Sequence, residues 1–388
     1  MKRDYEYVVL GLGGFGSAAA YWLARRAGGE VLGLEQFELG HVRGESQDHS
    51  RIIRLSYHTP GYVELAKHAY RAWSEVEQDA GERLILRTGG LDFGPRVSAI
   101  PLSHYADSMA AAGVPYETLD AREIMRRWPA FQVSDDIHGL YQEQSGIAMA
   151  ARANAAHQRM ARARGAVLRE RADVRSVRPR DGEFELDVGG DRIRCRRLVM
   201  TTGAWSNTAL AAFGYRLPLT VTQEQVTYFA CPRPEDFQPD RFPIWIWMDD
   251  PCFYGFPIFG EAGTKAGQDA GGREVTAETR TFEPDQAALR RVCDFLSRHI
   301  PGALGPIIYT KTCLYTLTPD RDFVLDRLPD YPGALVAIGG GHGFKFASVV
   351  GKILAELAVD GRTGHELTPF RFDRAILQLE NPPKHYMV

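Results

Sequence analysis

The chain has 388 residues, of which 44% are hydrophobic and 24% are charged, and its formal net charge is -3. These values are ordinary for a soluble protein and allow two compact lobes, each with its own core. The small net charge provides no field that would gather nucleic acid or an anionic membrane surface. No apolar run approaches the ~20 residues of a membrane-spanning helix. We therefore predict neither a nucleic-acid nor a membrane partner.

The cysteines indicate the cellular compartment, and the lysines indicate which basic residues are informative. Five cysteines at irregular spacing, without a CxxC pair, argue against a disulfide framework or a zinc site. An N-terminus that begins directly with a strand leaves no room for a signal peptide, so we expect a cytoplasmic protein. Lysine supplies only seven of the 46 basic residues, and each internal lysine is therefore more informative than usual.

The first 35 residues carry the clearest pattern. Residues 5–10 are a β-branched and aromatic run, typical of a buried parallel strand. The turn GLGGFG follows at 11–16, and residues 17–26 are predicted to form a helix closed by two glycines. A second strand over 30–34 ends on Glu35. This order of strand, glycine turn, helix, strand and acid predicts a dinucleotide-binding βαβ unit.

Each position of this unit has a predicted role, although an empty structural turn is the alternative. Gly11 makes the tight turn, Gly13 lets backbone N–H groups approach a pyrophosphate, and Gly16 lets the helix pack closely on the strand. Glu35 is placed to hold the hydroxyls of a ribose. Because an acid at this place favours an unphosphorylated ribose, the pattern indicates NAD or FAD and does not choose between them.

The polar loop over residues 39–56 has two interpretations. It contains His41, Arg43, His49, Arg51 and Arg54. It could be a solvated connection to the helix predicted over 62–80. Alternatively, a loop that follows the second strand of a dinucleotide fold lies beside the cofactor, where arginines pair with a diphosphate or a substrate carboxylate. The residues alone leave both interpretations open.

The middle of the chain predicts an insertion, after which the dinucleotide fold resumes. In chain order we expect a strand ending at 89–95, a helix at 101–113, a capped helix at 120–128, a helix at 149–165, strands at 166–170 and 174–177, a hairpin at 184–188 and 191–195, and a buried strand running into a small-residue turn at 197–205. The turn at Gly203 again brings backbone close to the first lobe.

The C-terminal half predicts strands rich in aromatic residues, and two unusual lysines. Strands are expected at 219–229, 244–248, 252–256 and 307–316, a helix at 284–299, and a strand, glycine turn and helix from 335 onward. Lys265 lies inside an apolar, glycine-rich strand segment. Lys345 lies in the first turn of the last helix, where the helix dipole disfavours a cation. That cost favours a functional partner for Lys345.

Taken together, the chain resembles the monomeric sarcosine oxidase and N-methyl-tryptophan oxidase family of covalent flavoenzymes, nearly from end to end. The resemblance depends on the N-terminal unit and on these motifs: RIIR at 51–54, GLDFGP at 90–95, RWP at 127–129, SG at 145–146, GAW at 203–205, YGFP at 254–257, Lys265, CLYT at 313–316 and GHGFKF at 341–346. The last two motifs are the most specific.

The resemblance implies an α/β, two-lobed fold: an FAD-binding Rossmann-like domain of the GR2, D-amino-acid-oxidase-like type, and an antiparallel-sheet substrate lobe. We expect the FAD domain to comprise residues 1–88, 150–216 and 319–388, and the substrate domain 89–149 and 217–318. In this family the cysteine of the CLYT motif carries FAD as an 8α-S-cysteinyl thioether, which implies that Cys313 is the attachment point. Glu35 would then bind the adenosine ribose, and Val174 would make a backbone contact to adenine.

The resemblance also implies the residues of the active site. Arg54 and Lys345 would grip the substrate carboxylate, and Lys265 would promote the reaction of reduced flavin with O2. Tyr254 and Tyr315 would line the substrate face of the flavin, with Arg51 on the opposite face. His342 and the N–H groups around it would support the ring. The remaining implied cofactor contacts are Ser50, Arg51, Gly203, Gly341, Gly343 and Lys345.

Some positions depart from the family pattern. The family loop commonly reads SHHGDT before RIIR, so Gln47 stands where an active-site histidine is expected, and Asp269 stands where a second one is usual. We also expect Trp245 and Trp247 to make the pocket wall bulkier than sarcosine requires. These departures concern the substrate more than the flavin.

We therefore predict an FAD-dependent oxidase of secondary amino acids, monomeric, with sarcosine as the first candidate substrate and O2 as acceptor. The products would be glycine, formaldehyde and H2O2. Three alternatives stay open: oxidation of a bulkier N-methyl or cyclic amino acid (N-methyltryptophan, proline or pipecolate), a flavin dehydrogenase that does not use O2, and a non-catalytic dinucleotide-binding redox sensor.

Overall fold

The computed structural model describes residues 2–385. The strands, in chain order, are β1 (Asp4–Leu10), β2 (Val31–Leu34), β3 (Arg51–Ile53), β4 (Ile85–Arg87), β5 (Gly90–Pro95), β6 (Glu117–Asp120), β7 (Ile137–Gln142), β8 (Gly146–Ala148), β9 (Val167–Arg169), β10 (Val174–Arg180), β11 (Glu183–Val188), β12 (Asp191–Met200), β13 (Thr220–Phe229), β14 (Ile244–Trp247), β15 (Phe253–Phe256), β16 (Thr264–Gln268), β17 (Arg273–Glu274), β18 (Ile307–Leu317), β19 (Val324–Leu328) and β20 (Tyr331–Ile338). The α-helices are α1 (Gly14–Ala27), α2 (Pro60–Ala80), α3 (Leu102–Ala111), α4 (Ala121–Arg127), α5 (Ala150–Ala163), α6 (Ser206–Ala211), α7 (Gln286–His299) and α8 (Ala347–Asp360).

The first sheet contains the dinucleotide-type unit predicted for the N-terminus. Its strands follow the order β10-β11-β12-β1-β2-β9, with β20 beside β12 and β19 beside β20. Strands β1, β2, β9, β12 and β20 pair in parallel. Helix α1 packs against α5 and α8 on one face. The approach is close: a Cβ added to Gly351 on α8 would come within 2.5 Å of the Ala18 carbonyl carbon.

The second sheet has nine strands and carries the insertion. Its order is β17-β13-β16-β15-β14-β5-β7-β6, with β18 paired along β13 as an edge strand. Its pairs are antiparallel except for the parallel β5–β14 pair. Helix α7 packs on one face through Phe295 and Leu296, which join an aromatic cluster. The other face is turned toward the first sheet and forms part of a cavity wall.

A small third sheet links the two halves of the molecule. Strand β8 pairs antiparallel with both β3 and β4, in the order β3-β8-β4. Strand β8 falls in the segment predicted for the substrate domain, whereas β3 and β4 fall in the segment predicted for the FAD domain. The division at residues 88/89, 149/150, 216/217 and 318/319 stays a proposal. The membership of the two large sheets supports it, and β8 is the strand that crosses it.

Local structure follows the sequence patterns with small differences at the ends of elements. Helix α1 begins at Gly14, three residues earlier than expected, after an extended Gly13 that has no side-chain cap. The helix therefore starts directly at the glycine turn, and its first N–H groups face the cavity side. Asp120 caps α4 by accepting a hydrogen bond from the Glu123 N–H at 2.8 Å, as its spacing predicted. Before α8, residues Gly343–Phe346 form a 3-10 turn.

None of the helices described over residues 2–385 combines the length and the hydropathy needed to cross a membrane.

Candidate active site

A cavity of about 460 Å³ extends from the N-terminal glycine turn to the face of the second sheet. Its wall includes Gly11, Gly13 and Glu35 of the N-terminal unit, together with Arg51, Cys313 and Lys345. The other predicted residues on its wall are Arg54, Val174, Gly203, Tyr254, Lys265, Tyr315, Gly341, His342 and Gly343. Gly16 and Ser50 do not line it. The chain thus brings residues up to 334 positions apart in sequence to one elongated space.

At the nucleotide end, the backbone leaves space that side chains would fill. Gly11 has φ +87, and a Cβ there would come within 2.7 Å of the Thr201 carbonyl oxygen. A Cβ on Gly16 would come within 1.8 Å of the Gly11 carbonyl oxygen, so only glycine permits this turn. The Gly14 N–H donates to the Ser46 hydroxyl at 2.7 Å. A narrow, N–H-lined turn at a helix start suits a pyrophosphate.

Glu35 is fixed beside this turn. Its carboxylate accepts hydrogen bonds from the Leu12 N–H at 2.8 Å and the Phe37 N–H at 3.1 Å. His41 lies 3.4 Å from the same carboxylate. Burial opposes ionisation, but His41 and the Leu12 N–H outweigh it, and the pKa of Glu35 is lowered. A buried, ionised acid next to a glycine turn is what a ribose hydroxyl pair requires.

Cys313 lies at the centre of the cavity wall on the edge strand β18. Burial raises the pKa of its thiol to about 12, and the Arg51 guanidinium is the largest influence in the opposite direction. Arg51 itself donates to the carbonyl oxygens of Ser50 at 2.9 Å and Glu45 at 2.8 Å. The thiol is therefore neutral at rest, beside a fixed cation that would stabilise its thiolate.

Lys265 forms a buried ion pair that the sequence did not predict. Its ammonium donates to Asp48 Oδ2 at 2.7 Å and to the carbonyl oxygen and hydroxyl of Ser50, both at 2.9 Å. The three N–H donors of an ammonium group are thus all engaged. Asp48 also accepts a hydrogen bond from the Tyr228 hydroxyl at 2.9 Å. Burial lowers the pKa of Lys265 to about 8, and Asp48 opposes that shift.

Arg54 and Lys345 lie near each other on the cavity wall. Arg54 is buried and its guanidinium lies 3.4 Å from the carboxylate of Asp92. The Lys345 ammonium makes no hydrogen bond or ion pair with any part of the chain that the structure describes, and it borders the cavity. Burial, followed by the charge of Arg54, lowers the pKa of Lys345 to about 7. Arg54 follows β3, Asp92 lies on β5 and Lys345 lies in the turn before α8, so three elements bring two basic groups and one carboxylate together.

Asp269 pairs with a fully buried arginine. Its carboxylate lies 2.6 Å from Arg321, whose Nε donates to the Gly340 carbonyl oxygen at 3.2 Å. The Arg321 carbonyl oxygen lies 3.0 Å from Nε2 of His342. Because a carbonyl only accepts, Nε2 carries the His342 proton, and Nδ1 is left as an acceptor. Burial, reinforced by Lys345, lowers the pKa of His342 well below its usual value, so the ring is neutral.

The expectation that Trp245 and Trp247 form the pocket wall is wrong. Side chains alternate between the two faces of β14, and both indoles point away from the cavity. They pack against Phe295 of α7, with ring centroids 5.4 Å apart in each case. Ile246 lies between them and lines the cavity instead, opposite Tyr254 on β15. The pocket is therefore not narrowed by indole rings.

Several charged residues in or beside the site were not predicted, among them Asp48, Asp92, Arg280 and Arg321. Asp92 could have been found, because it is a lone acid in the buried strand Gly90–Pro95. Arg280 donates to the carbonyl oxygens of Arg43 at 2.9 Å and Thr312 at 3.2 Å, and so ties the polar loop to β18. No local pattern marks it. Gln47 also contacts this strand, donating to the Thr312 carbonyl oxygen at 2.6 Å.

The wall of the cavity fits FAD. Several buried polar atoms that face it or flank it have no partner within residues 2–385, including Gln47 Oε1, Arg54 Nε and His342 Nδ1. Such atoms need a hydrogen-bonding group from outside the chain. The glycine turn and Glu35 suit the dinucleotide end. Arg51, Cys313 and Tyr315 lie on the wall of the same cavity, which a ring system could border.

Comparisons with known proteins agree with this geometry. The family model described as FAD dependent oxidoreductase matches residues 6–357. Monomeric sarcosine oxidase of Streptomyces avermitilis is 36% identical, with 95% of this chain and 97% of that protein covered. N-methyl-L-tryptophan oxidase of Salmonella arizonae is 30% identical, with 95% and 99% covered.

The fold also matches a solved structure, the open form of NikD, described as an unusual amino acid oxidase essential for nikkomycin biosynthesis. The TM-score is 0.84 at 26% identity, with 95% of this chain and 98% of that chain covered. The predicted resemblance is thus confirmed. The chain belongs to the family of FAD dependent oxidoreductases, among the relatives of monomeric sarcosine oxidase and N-methyl-L-tryptophan oxidase.

Proposed function

We propose that this protein is an FAD-dependent oxidase of secondary amino acids, with sarcosine as the first candidate substrate and O2 as the electron acceptor. The observation that carries the proposal is the unpaired Lys345 ammonium beside Arg54, at the end of a cavity that also exposes Cys313 and two tyrosines. The names of the relatives support a substrate of the N-methyl amino acid class.

The charges at this end of the cavity suit one carboxylate. Arg54, Lys345 and Arg321 are cations, and Asp92 and Asp269 are acids. With Lys345 protonated, one positive charge remains uncompensated, and a single carboxylate group would neutralise it. A substrate with two carboxylates would leave a buried negative charge, which is costly. We therefore favour a monocarboxylic amino acid.

The two tyrosine hydroxyls on the cavity wall would stay protonated beside the amine of a bound substrate. Burial raises the pKa of the Tyr254 and Tyr315 hydroxyls far above neutrality, so both remain protonated donors. Bound FAD would accept a hydride from the carbon next to the amine nitrogen. The chain's contribution is to anchor the carboxylate so that this carbon lies over the ring, and to exclude water from it.

Two finer assignments belong to the same proposal. Cys313 would carry FAD as an 8α-S-cysteinyl thioether, which is supported by its place on the cavity wall beside Arg51. Lys265 would stabilise the negative charge that develops as O2 is reduced. The other implied contacts with the cofactor (Ser50, Val174, Gly203, Gly341, His342 and Gly343) stay predictions. Ser50 would act through Lys265, because it does not line the cavity.

The direct test is anaerobic reduction of the purified yellow protein by sarcosine, followed as bleaching of the flavin absorbance. We expect complete bleaching by sarcosine and none by N-methylethylamine, which lacks the carboxylate. Lys345→Gln should raise the sarcosine concentration needed. Lys352→Gln, which alters a lysine on α8 that pairs with Glu75 of α2, should not. If no N-alkyl or cyclic amino acid reduces the flavin, the proposal fails.

One observation favours a flavin dehydrogenase as the second candidate. Because Asp48 and Ser50 engage all three donors of Lys265, its charge is already balanced before any oxygen arrives. Reoxidation of the reduced protein separates the two functions. An oxidase returns to the oxidised spectrum within seconds of mixing with air-saturated buffer, whereas a dehydrogenase requires an added dye or quinone. Lys265→Met should slow the reaction with O2 far more than reduction by the amine.

We further propose a monomeric, cytoplasmic protein. The five cysteines are all free thiols in the structure, as a reducing compartment would leave them. Size-exclusion chromatography with light scattering would test the monomer, and fractionation of the source cells would test the location.

A further inference from the structure

The proposed thioether requires Cys313 to lose its thiol proton in a place that disfavours a thiolate. Burial raises the pKa of this thiol to about 12. The carboxylates of Glu224, Glu45 and Asp48 all oppose a negative charge there, and Arg51 is the cation that favours it most. A thiol of this kind needs a neighbouring proton acceptor before it can react.

Glu224 lies directly opposite Cys313 in the second sheet. The two residues are register partners in the antiparallel β13–β18 pair, flanked by the pairs Thr222–Tyr315 and Val226–Lys311. Directly opposed residues project to the same face with Cβ atoms about 5 Å apart. Cys313, Tyr315 and Val226 line the cavity. Glu224 therefore projects to the same face of the sheet as Cys313, although its carboxyl group does not itself line the cavity.

The Glu224 carboxyl group is buried, and no cation within residues 2–385 is bonded to it. Only 4% of the residue is exposed, and the Thr222 hydroxyl donates to Oε1 at 2.6 Å. The segment after β16 covers it, because a Cβ on Gly272 would come within 2.8 Å of Glu224 Cδ. The surrounding charged and titratable groups are Cys313 and Tyr315 on one side, and Asp269 and Arg321 on the other. Burial raises the pKa of Glu224 to about 7, so it exchanges a proton near neutrality.

We infer that Glu224 is the residue that accepts the thiol proton of Cys313 when FAD becomes covalently attached. This inference rests on the attachment proposed above. The Sγ–H bond breaks, its proton moves to the Glu224 carboxylate, and Sγ forms a bond to the 8α carbon of the cofactor, which loses one hydrogen. The two electrons released leave with two protons on O2. One thiol, one FAD and one O2 thus give one thioether and one H2O2.

The other carboxylates near Cys313 are less suited to this role. Asp48 is bound in the ion pair with Lys265. Glu45 has a pKa also raised to about 7 by burial, but it accepts a hydrogen bond from the Thr316 hydroxyl. Thr316 and Cys313 are three residues apart on β18, so their side chains point to opposite faces. Glu45 is therefore a matched control: a half-buried carboxyl group on the cavity wall, with a similarly raised pKa, that is not opposite the thiol.

The experiment follows covalent flavin in protein produced without riboflavin and then mixed with FAD in air. Covalent attachment is measured as yellow colour that survives acid precipitation, and as flavin fluorescence of the denatured band on a gel. We expect Glu224→Gln to slow attachment by about 10²-fold, the lower end of what general base catalysis contributes. Glu45→Gln should stay within about threefold of the wild type, each rate being taken per bound FAD.

The pH dependence of the attachment rate is a second, independent test of the role of Glu224. The wild-type rate should rise through pH 7 as Glu224 loses its proton, and this inflection should vanish in Glu224→Gln. Thr222→Ala keeps the carboxyl group but removes its donor, so the inflection should move to higher pH. Alkylation of Cys313 in the FAD-free protein, followed by mass spectrometry of its peptide, should show the same dependence.

The outcomes separate this inference from the proposal beneath it. Wild-type rates and an unchanged pH profile in Glu224→Gln would overturn the role of Glu224 and leave the thioether intact. Covalent flavin that persists in Cys313→Ser, or a colourless acid precipitate from the wild type, would overturn the attachment site and this inference with it. If Glu224→Gln does not fold, the Thr222→Ala shift decides: no shift overturns the inference.

Discussion

The buried pair between Lys265 and Asp48 should dominate the stability of the cavity wall. Replacing Lys265 by methionine keeps the volume of the side chain but leaves Asp48 with the Tyr228 hydroxyl and a guanidinium 3.8 Å away. Both side chains of the pair are nearly inaccessible, at 2% and 3% exposure. Removing one partner of such a pair costs about 3–5 kcal/mol, because the other charge stays buried.

The size of the effect on melting temperature follows from chain length. At about 2.1 cal/mol/K of unfolding entropy per residue, a chain of this length loses roughly 1 °C for each kcal/mol. Lys265→Met should therefore melt about 3–6 °C below the wild type. Lys265→Met/Asp48→Asn should recover most of this loss, since an amide still accepts from Tyr228 and carries no charge. The surface pair Lys67–Glu64 is the control, and Lys67→Met should cost under about 1 kcal/mol.

The assay is a double-mutant cycle in urea, with the FAD-free protein used so that cofactor binding does not contribute. The coupling between Lys265 and Asp48 should reach about 2 kcal/mol or more. If the two single substitutions add within about 0.5 kcal/mol, the pair contributes no specific stabilisation and the reasoning from burial is refuted.

Three further predictions concern other parts of the site. Acetate has no amine, so its affinity reports on the basic residues of the pocket alone. Its Kd, measured by perturbation of the flavin spectrum, should rise with pH above about 7 as Lys345 loses its proton. Lys345→Arg should abolish that rise, because arginine stays protonated. An unchanged Kd between pH 6 and 9 in the wild type would contradict this. Gly16→Ala should yield protein with little or no FAD, as measured by absorbance, because the added Cβ would meet the Gly11 carbonyl oxygen. Gly61 has open space around it, so the control Gly61→Ala should bind FAD normally. Trp247→Phe should lower the free energy of unfolding by about 1–3 kcal/mol and leave KM for the amine, measured in a peroxide assay, unchanged. Ile246→Ala should change that KM. A changed KM in Trp247→Phe with an unchanged KM in Ile246→Ala would place the indole in the pocket.

The N-terminal unit could be predicted because its signals are local. Gly11, Gly16 and Glu35 occur within 25 residues. The two glycines are needed for the conformation of the turn, and the acid is needed for one contact beside it. The parallel strands around them are also marked by continuous β-branched runs. The family resemblance supplied what local patterns could not, namely the positions of Cys313 and Lys345 on the cavity wall.

The charge pairing of the site could not be predicted from the sequence. Asp48 and Lys265 are 217 positions apart, and Asp269 and Arg321 are 52 apart. Which acid meets which base depends on how the second sheet faces the first. The prediction that Trp245 and Trp247 line the pocket was wrong for a related reason. Period-two alternation showed that Ile246 points the other way from both, but it did not show which face of β14 borders the cavity.

The three-stranded sheet β3-β8-β4 has a consequence for protein engineering. Strand β3 leads directly into Arg54, and β8 lies between β7 and α5, so the hydrogen bonds between the two strands hold Arg54, the proposed carboxylate ligand, against that segment. A chimera that exchanged residues 89–149 for those of a relative would replace the central strand of that sheet along with the pocket wall. Grafts intended to change substrate preference should therefore retain Gly146–Ala148 from the recipient, or import β3 and β4 together with the donor strand.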